Sequence, residues 1–158
     1  MPTHTKIVNQ EQLLNVIKEW KNAGHKVVFT NGCFDILHLG HVDYLEKAAE
    51  KGDKLIIAVN TDLSVKKLKG ENRPVNNEIA RARLLAALEF VDAVTFFSDD
   101  TPYNLIKALQ PDILVKGSDY NISNIVGADI VMQNGGKVET IDLVEGYSTT
   151  QIINQIKK

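Results

Sequence analysis

Asn31-Gly32-Cys33-Phe34-Asp35-Ile36-Leu37-His38-Leu39-Gly40-His41 lies between an apolar run, Val27-Val28-Phe29, and an amphipathic segment that continues to about Lys51. The run before it predicts a strand and the segment after it a helix. A strand that ends in a glycine turn and enters a helix makes an anion site, because the first N–H groups of the helix lack an intrahelical acceptor and the helix dipole is positive there. Phosphate is the expected guest. His38 and His41 are three residues apart, so on a first helical turn their imidazoles share a face and can donate hydrogen bonds to charge building on a phosphoryl group. Gly40 between them leaves the helix surface bare and lets a flat or bulky group approach. The spacing alone is also that of an ordinary surface or core pair. It could equally begin a metal site, but the only nearby donors are Cys33 and Asp35, and Cys33 reads as a small apolar residue at the strand end.

Composition narrows the setting. With 158 residues, 44% of them hydrophobic, the chain fits one domain over 1–158 with a single core. Its formal net charge of -2, from 18 basic and 20 acidic residues, gives no global attraction to nucleic acid, so an anion must be held by a local cluster. One cysteine excludes an internal disulfide and a cysteine-based zinc pattern. Met1 to Val8 is polar, without a signal-type apolar core, and no stretch approaches a membrane span. The expectation is a cytoplasmic protein without nucleic-acid or membrane partners.

Outward from the opening stretch, Asn9 and Gln12 form a capping pair for an amino-terminal helix over Asn9–Ala23, whose Leu13, Ile17 and Trp20 recur at helical spacing. Downstream, Leu55-Ile56-Ile57-Ala58-Val59 reads as a strand buried on both faces of a parallel sheet. A polar segment from Leu63 to Asn77 follows, carrying Lys66, Lys67, Lys69 and Arg73, either a solvated face or a phosphate clamp at a strand end. Ile79 to Phe90 is expected to be a helix with Leu84, Leu85 and Leu88 inward. Ala93–Phe97 is a third strand, Thr101-Pro102 opens a helix through Leu109, and Ile113–Val115 is a fourth strand running into Lys116-Gly117-Ser118-Asp119. Val126–Gln133 reads as a short helix and Val138–Ile141 as a fifth strand. Ser148 or Thr149 caps a last helix bearing Ile152, Ile153 and Ile156. Strands alternating with helices predict an α/β, Rossmann-like, doubly wound, five-stranded parallel sheet, and every residue singled out then falls on its carboxyl edge.

Gly32-Cys33-Phe34-Asp35 followed by His38-x-Gly40-His41 resembles the signature of the cytidylyltransferase-like nucleotidyltransferases. From Lys6 to Lys157 the chain is similar to the adenylyltransferases that make ADP-heptose, either alone or as the second domain of a bifunctional sugar kinase/adenylyltransferase. Leu68-Lys69-Gly70, Arg73-Pro74-Val75-Asn76, Val91-Asp92, Asp112 to Asp119 and Tyr147-Ser148-Thr149-Thr150 carry that likeness. It implies transfer of AMP from ATP to D-glycero-β-D-manno-heptose 1-phosphate, giving ADP-heptose and pyrophosphate for lipopolysaccharide core, with Mg²⁺ carried in on ATP and no metal ligands on the protein. Its carried-over catalytic group is His38, His41, Lys69 and Arg81, the last a substrate-phosphate arginine. Against the nucleotide it puts Phe34, Asp35, Gly40 (under the base), Lys66, Lys116, Gly117, Asp119, Tyr147, Ser148 and Thr149. Ser118 stands where the family commonly has a second glycine, and no sugar-kinase segment is present, so the phosphorylated sugar is expected from another protein. A CTP-using cytidylyltransferase of the glycerol-phosphate type, a non-enzymatic nucleotide sensor and a homodimeric assembly stay open.

Overall fold

Alternation along the strands sorts the core into two layers. The computed structural model describes residues 1–158, and its strands are β1 (Val27–Gly32), β2 (Lys54–Asn60), β3 (Ala93–Phe97), β4 (Ile113–Gly117) and β5 (Lys137–Ile141). All pair in parallel in the order β3-β2-β1-β4-β5. Successive side chains point to opposite faces. Val28, Leu55, Ile57, Val59, Val94 and Val115 therefore form one layer, with Tyr44, Leu45 and Ala48 of α2 (Leu39–Ala49) and Ala82, Leu85 and Ala86 of α4 (Glu78–Ala86). Phe29, Ile56, Ala58 and Leu114 form the other. That layer is covered by Leu13 and Ile17 of α1 (Gln10–Asn22), Leu105, Ile106 and Leu109 of α5 (Tyr103–Leu109), and Val131 of α6 (Ala128–Gln133). The apolar runs of β1 and β2 reflect burial on both faces, as the sequence predicts.

The chain leaves β1 toward β2 and β3, then returns to place β4 on the other side of β1. Between β1 and β4 the strand order reverses, and at such a point the helices diverge and a crevice opens beyond the carboxyl ends. Aspartates pin the opposite edge: Asp112 accepts from the Val27 N–H at 2.8 Å and Asp92 from the Leu55 N–H at 2.7 Å. No helix is long and apolar enough to cross a membrane.

Most boundaries follow local chemistry. Asn9 and Gln12 form the reciprocal capping box of α1. Ser148, rather than Thr149, caps α7 (Thr149–Lys157) by accepting from the Gln151 N–H at 3.1 Å. Two expectations are corrected. The polar segment after β2 begins as a helix, α3 (Asp62–Lys69), because Thr61 caps it and Val65 is buried beneath it. Helix α4 ends at Ala86, and its inward face is Ala82, Leu85 and Ala86, with Arg81 beside them; Leu84 points out and is 46% exposed. Of the three leucines expected inward, Leu85 is buried and Leu88, past the helix end, packs against the core, so only Leu84 is misplaced, and Ala82 and Ala86 complete the inward face.

Candidate active site

Beyond the carboxyl ends of the strands lies an open crevice of about 660 Å³. It brings together Phe34, Asp35, His38, Gly40 and His41 after β1, Lys69 at the end of α3, and Lys116, Gly117 and Asp119 at the end of β4. Tyr147, Ser148 and Thr149 close it from the start of α7. Two of the residues expected there are elsewhere. Lys66 is exposed on α3 and does not line the crevice, which only Leu68 and Lys69 of that helix reach. Arg81 is wholly buried beneath the crevice floor.

The burial of Arg81 has a clear cause. Its guanidinium donates to the carbonyls of Cys33 and Asn60, both at 2.8 Å, to the Asn76 carbonyl at 2.9 Å, and to Asp62 Oδ1 at 2.9 Å. It ties the turn after β1, the end of β2 and the loop before α4 into one piece. A guanidinium so engaged is a structural tie rather than a substrate ligand, which corrects the assignment carried over from the resemblance.

The histidines meet, although His38 precedes the helix. His38 is the residue before α2, in extended conformation at φ -142°, and its ring folds back to stack on His41 with centroids 3.8 Å apart and planes 21° from parallel. The Tyr147 ring lies 6.4 Å from that of His38, and the Phe34 ring meets His41 edge-on at 5.3 Å. Gly40 makes this possible. A Cβ there would come within 2.9 Å of His38 Cε1 and 3.3 Å of Tyr147 Cβ, so the bare surface is filled by the protein's own rings. At Gly117, likewise, a Cβ would meet Asp119 Oδ1 at 2.6 Å.

Burial, and then the neighbouring His38, pushes His41 down to about 4, against the favourable carbonyl of Ile36. Burial lowers His38 as well, so both imidazoles are neutral near pH 7. Each neutral ring carries one N–H donor. Their Nδ1 atoms, together with Asn31 Oδ1, are buried without any hydrogen-bond partner in the protein. Buried polar atoms are nearly always paired, so three orphans at one crevice indicate partners that arrive with a ligand.

Cations and helix ends set the sign of that ligand. Lys116 Nζ donates to the Asn31 carbonyl at 3.1 Å and lies over the Tyr120 ring; burial lowers it to about 8, with Cys33 and Asp119 opposing. Lys69 sits in the last turn of α3, before Gly70 at φ +104°. The N–H groups of His41 and Val42 bond to the His38 carbonyl, leaving those of Leu39 and Gly40 at the start of α2. At α7, Gln151 and Ile152 N–H groups bond back to Ser148, leaving those of Thr149 and Thr150. Two helix starts and two lysines around neutral imidazoles favour a polyanion.

Asp35 differs from expectation. Its carboxylate is 1% exposed and is turned away to Arg73, Val75 and Asn76. Burial alone would raise it, but the Asn76 and Val75 N–H groups and the Arg73 guanidinium outweigh that and hold the carboxyl below its usual range. Cys33 is half-buried beyond the end of β1, with its thiol toward Asn60 Oδ1 at 3.7 Å, and burial raises it. Asn31, Asp100 and Thr101, which no motif singles out, also line the crevice. A polar residue at a strand's carboxyl end was the available signal for Asn31, and the loop after β3 for the others.

Comparison with known proteins agrees with this geometry. Residues 29–155 match the family described as Cytidylyltransferase-like. The chain is 57% identical to the Bifunctional protein HldE of Campylobacter jejuni subsp. doylei over 96% of its length and 32% of that protein's. It is 53% identical to that of Gluconobacter oxydans over 97% of its length and 32% of the relative's. It thus spans about a third of the length of these curated relatives. Among solved structures, a lipopolysaccharide core biosynthesis protein of Thermoplasma volcanium is 28% identical with a TM-score of 0.61, covering 79% of this chain and 100% of that one. Pantothenate synthetase of Thermus thermophilus, 15% identical with a TM-score of 0.62 over 93% of this chain and 67% of its own, shares the fold. A strand–glycine–helix turn, the stacked His38 and His41 and a family match across both place this chain in the cytidylyltransferase-like family of nucleotidyltransferases.

Proposed function

We propose that this chain is a cytoplasmic sugar-phosphate adenylyltransferase that transfers AMP from ATP to D-glycero-β-D-manno-heptose 1-phosphate, releasing pyrophosphate and giving ADP-heptose for lipopolysaccharide core. The observation that carries a phosphoryl-transfer reading is the pair of unpartnered buried imidazole nitrogens, His38 Nδ1 and His41 Nδ1, in a crevice that two helix starts also line. The choice of heptose is supported by the two HldE relatives and by the Thermoplasma protein named for lipopolysaccharide core biosynthesis.

The chemistry this arrangement supports needs no nucleophile on the protein. An oxygen of the sugar phosphate, already ionised at neutral pH, attacks the α-phosphorus in line; the bond to the bridging oxygen breaks and pyrophosphate leaves. The α2 start and the stacked imidazoles hold the phosphates and donate to charge that grows on the α-phosphoryl oxygens. The α7 start and Lys69 take the charge left on pyrophosphate. Mg²⁺ bound to the triphosphate would neutralise part of its charge, beside Lys69.

Pyrophosphate release, measured with ATP or CTP against heptose 1-phosphate and glycerol 3-phosphate, tests this. Release is expected only with ATP and the sugar 1-phosphate. Preference for CTP and glycerol 3-phosphate would replace the reading with the cytidylyltransferase one, and tight ATP binding without release from any acceptor would make the chain a sensor.

A further inference from the structure

Arg73 is the arginine of the crevice, and the reaction above leaves it without a task. It stands between α3 and α4, at a cis peptide bond to Pro74, lines the crevice, and its side chain is 15% exposed. Asp35 Oδ2 accepts from its Nε–H at 2.7 Å. The same carboxylate accepts the Val75 N–H at 2.9 and 3.0 Å and the Asn76 N–H at 2.9 Å, while Asn76 Nδ2 donates back to the Asp35 carbonyl at 2.8 Å.

Arg81 shows what a purely structural arginine looks like in this fold, with both Nη atoms and Nε donating to protein oxygens. Arg73 gives up only Nε. Its terminal nitrogens find no acceptor in the protein, though guanidinium offers a fork of donors matched to phosphate. The holder is itself fixed to the histidines. Phe34, the residue before Asp35, is held at φ +49°, a left-handed conformation uncommon for a bulky side chain, and its ring is the one that meets His41. Adjacent residues thus set the guanidinium and the imidazole relative to each other in one crevice, which the orphaned His38 Nδ1 and His41 Nδ1 share.

We infer that Arg73 is a phosphate ligand of the crevice through its terminal nitrogens and that Asp35 is its positioning residue, an inference that rests on the phosphoryl-transfer reading. The shared chemistry is a phosphate oxyanion, supplied by the nucleotide or by the sugar phosphate. Asp35 orders the side chain in advance, so less rotamer freedom is lost on binding.

Calorimetric titration of the wild-type chain, Arg73→Ala, Arg73→Lys and Asp35→Asn with tripolyphosphate, ATP and glucose 1-phosphate tests it, with melting temperatures recorded alongside. Arg73→Ala is expected to weaken binding by about tenfold or more, the size of a lost charge-assisted hydrogen bond. The loss falls on tripolyphosphate and ATP if Arg73 holds the nucleotide, and on glucose 1-phosphate if it holds the acceptor. Millimolar guanidinium should restore part of the loss in Arg73→Ala and nothing in the wild type, which a merely structural role would not produce. Asp35→Asn should reproduce the weakening and add nothing to it in the double variant; if it does not fold, Arg73→Ala with guanidinium decides. Unchanged binding of all three anions by Arg73→Ala, with or without a lower melting temperature, overturns the inference. Wild type that binds tripolyphosphate but not ATP overturns the adenylyl-transfer reading and leaves Arg73 to be judged on tripolyphosphate, whereas wild type that binds none of the three overturns both.

Discussion

The Arg81 centre and the His38–His41 centre lie on either side of the turn after β1, and both bury polar groups. Around Arg81 the buried groups meet partners: one guanidinium serves three carbonyls and a carboxylate, and joins three segments. Around the histidines three buried atoms have none. Unpaired buried polar groups cost stability, so a fold keeps them where a ligand completes them. The same contrast separates two arginines that follow β2, Arg81 with all three nitrogens donating to protein oxygens and Arg73 with Nε alone, and assigns the first to architecture.

Replacing Arg81 tests the architectural side most severely. Arg81→Met should lower unfolding free energy by about 3–5 kcal/mol, the usual cost of breaking a buried charged network, in urea titration. A variant with parental stability but poor phosphate binding would return Arg81 to the site.

On the other side, His41→Ala is expected to lower turnover by about 10²–10³-fold, as loss of one preorganised transition-state donor does. Stability should change much less, because the variant also removes an unpartnered buried nitrogen, although the lost ring contacts with His38 and Phe34 offset part of that gain. Normal turnover with a large drop in melting temperature would make the histidine pair a packing feature.

The same pair makes a pH prediction. The folded-state value of His41, about 4, lies below the ordinary 6.5, so between these pH values the unfolded chain binds more protons than the folded one. Its contribution to stability is therefore present above about 6.5 and lost as pH falls toward 4, with His38 acting in the same direction. A melting series from pH 8 to 4 should show this loss, reduced in His41→Ala. Bound ATP should soften it, since a polyanion favours the protonated rings. A flat profile would contradict the burial of these rings.

The smallest effect distinguishes a cap from an anion site at α7. Thr149→Asp puts a carboxylate in the first turn, where the dipole favours it by about 0.3–1 kcal/mol, so the ligand-free protein should melt at or slightly above the parental temperature. ATP should then fail to raise that temperature, through like-charge repulsion. Parental stabilisation by ATP would reduce Ser148 and Thr149 to a helix cap.

What the sequence by itself determined is what depends on neighbours along the chain. Alternation of apolar strands with capped helices predicted the parallel sheet, the Asn9–Gln12 box predicted the start of α1, and the turn from Asn31 to His41 predicted a strand-to-helix junction. His38, His41, Lys69, Lys116 and the α7 start follow from it, because residues after strand ends share one edge in a parallel sheet.

Only the tertiary structure decided which polar residues are free to act. Lys66 and Lys69 are three residues apart on one face of one helix, yet only the latter reaches the crevice, since it stands about 4.5 Å further along the axis toward it. Arg81 and Asp35 read as site residues by position, but their partners lie 21 and 38 positions away in the chain, at Asn60 and Arg73. Whether a buried charge meets a protein partner or awaits a ligand depends on such distant contacts, and a donor's availability is a property of the packed molecule rather than of its place in the chain.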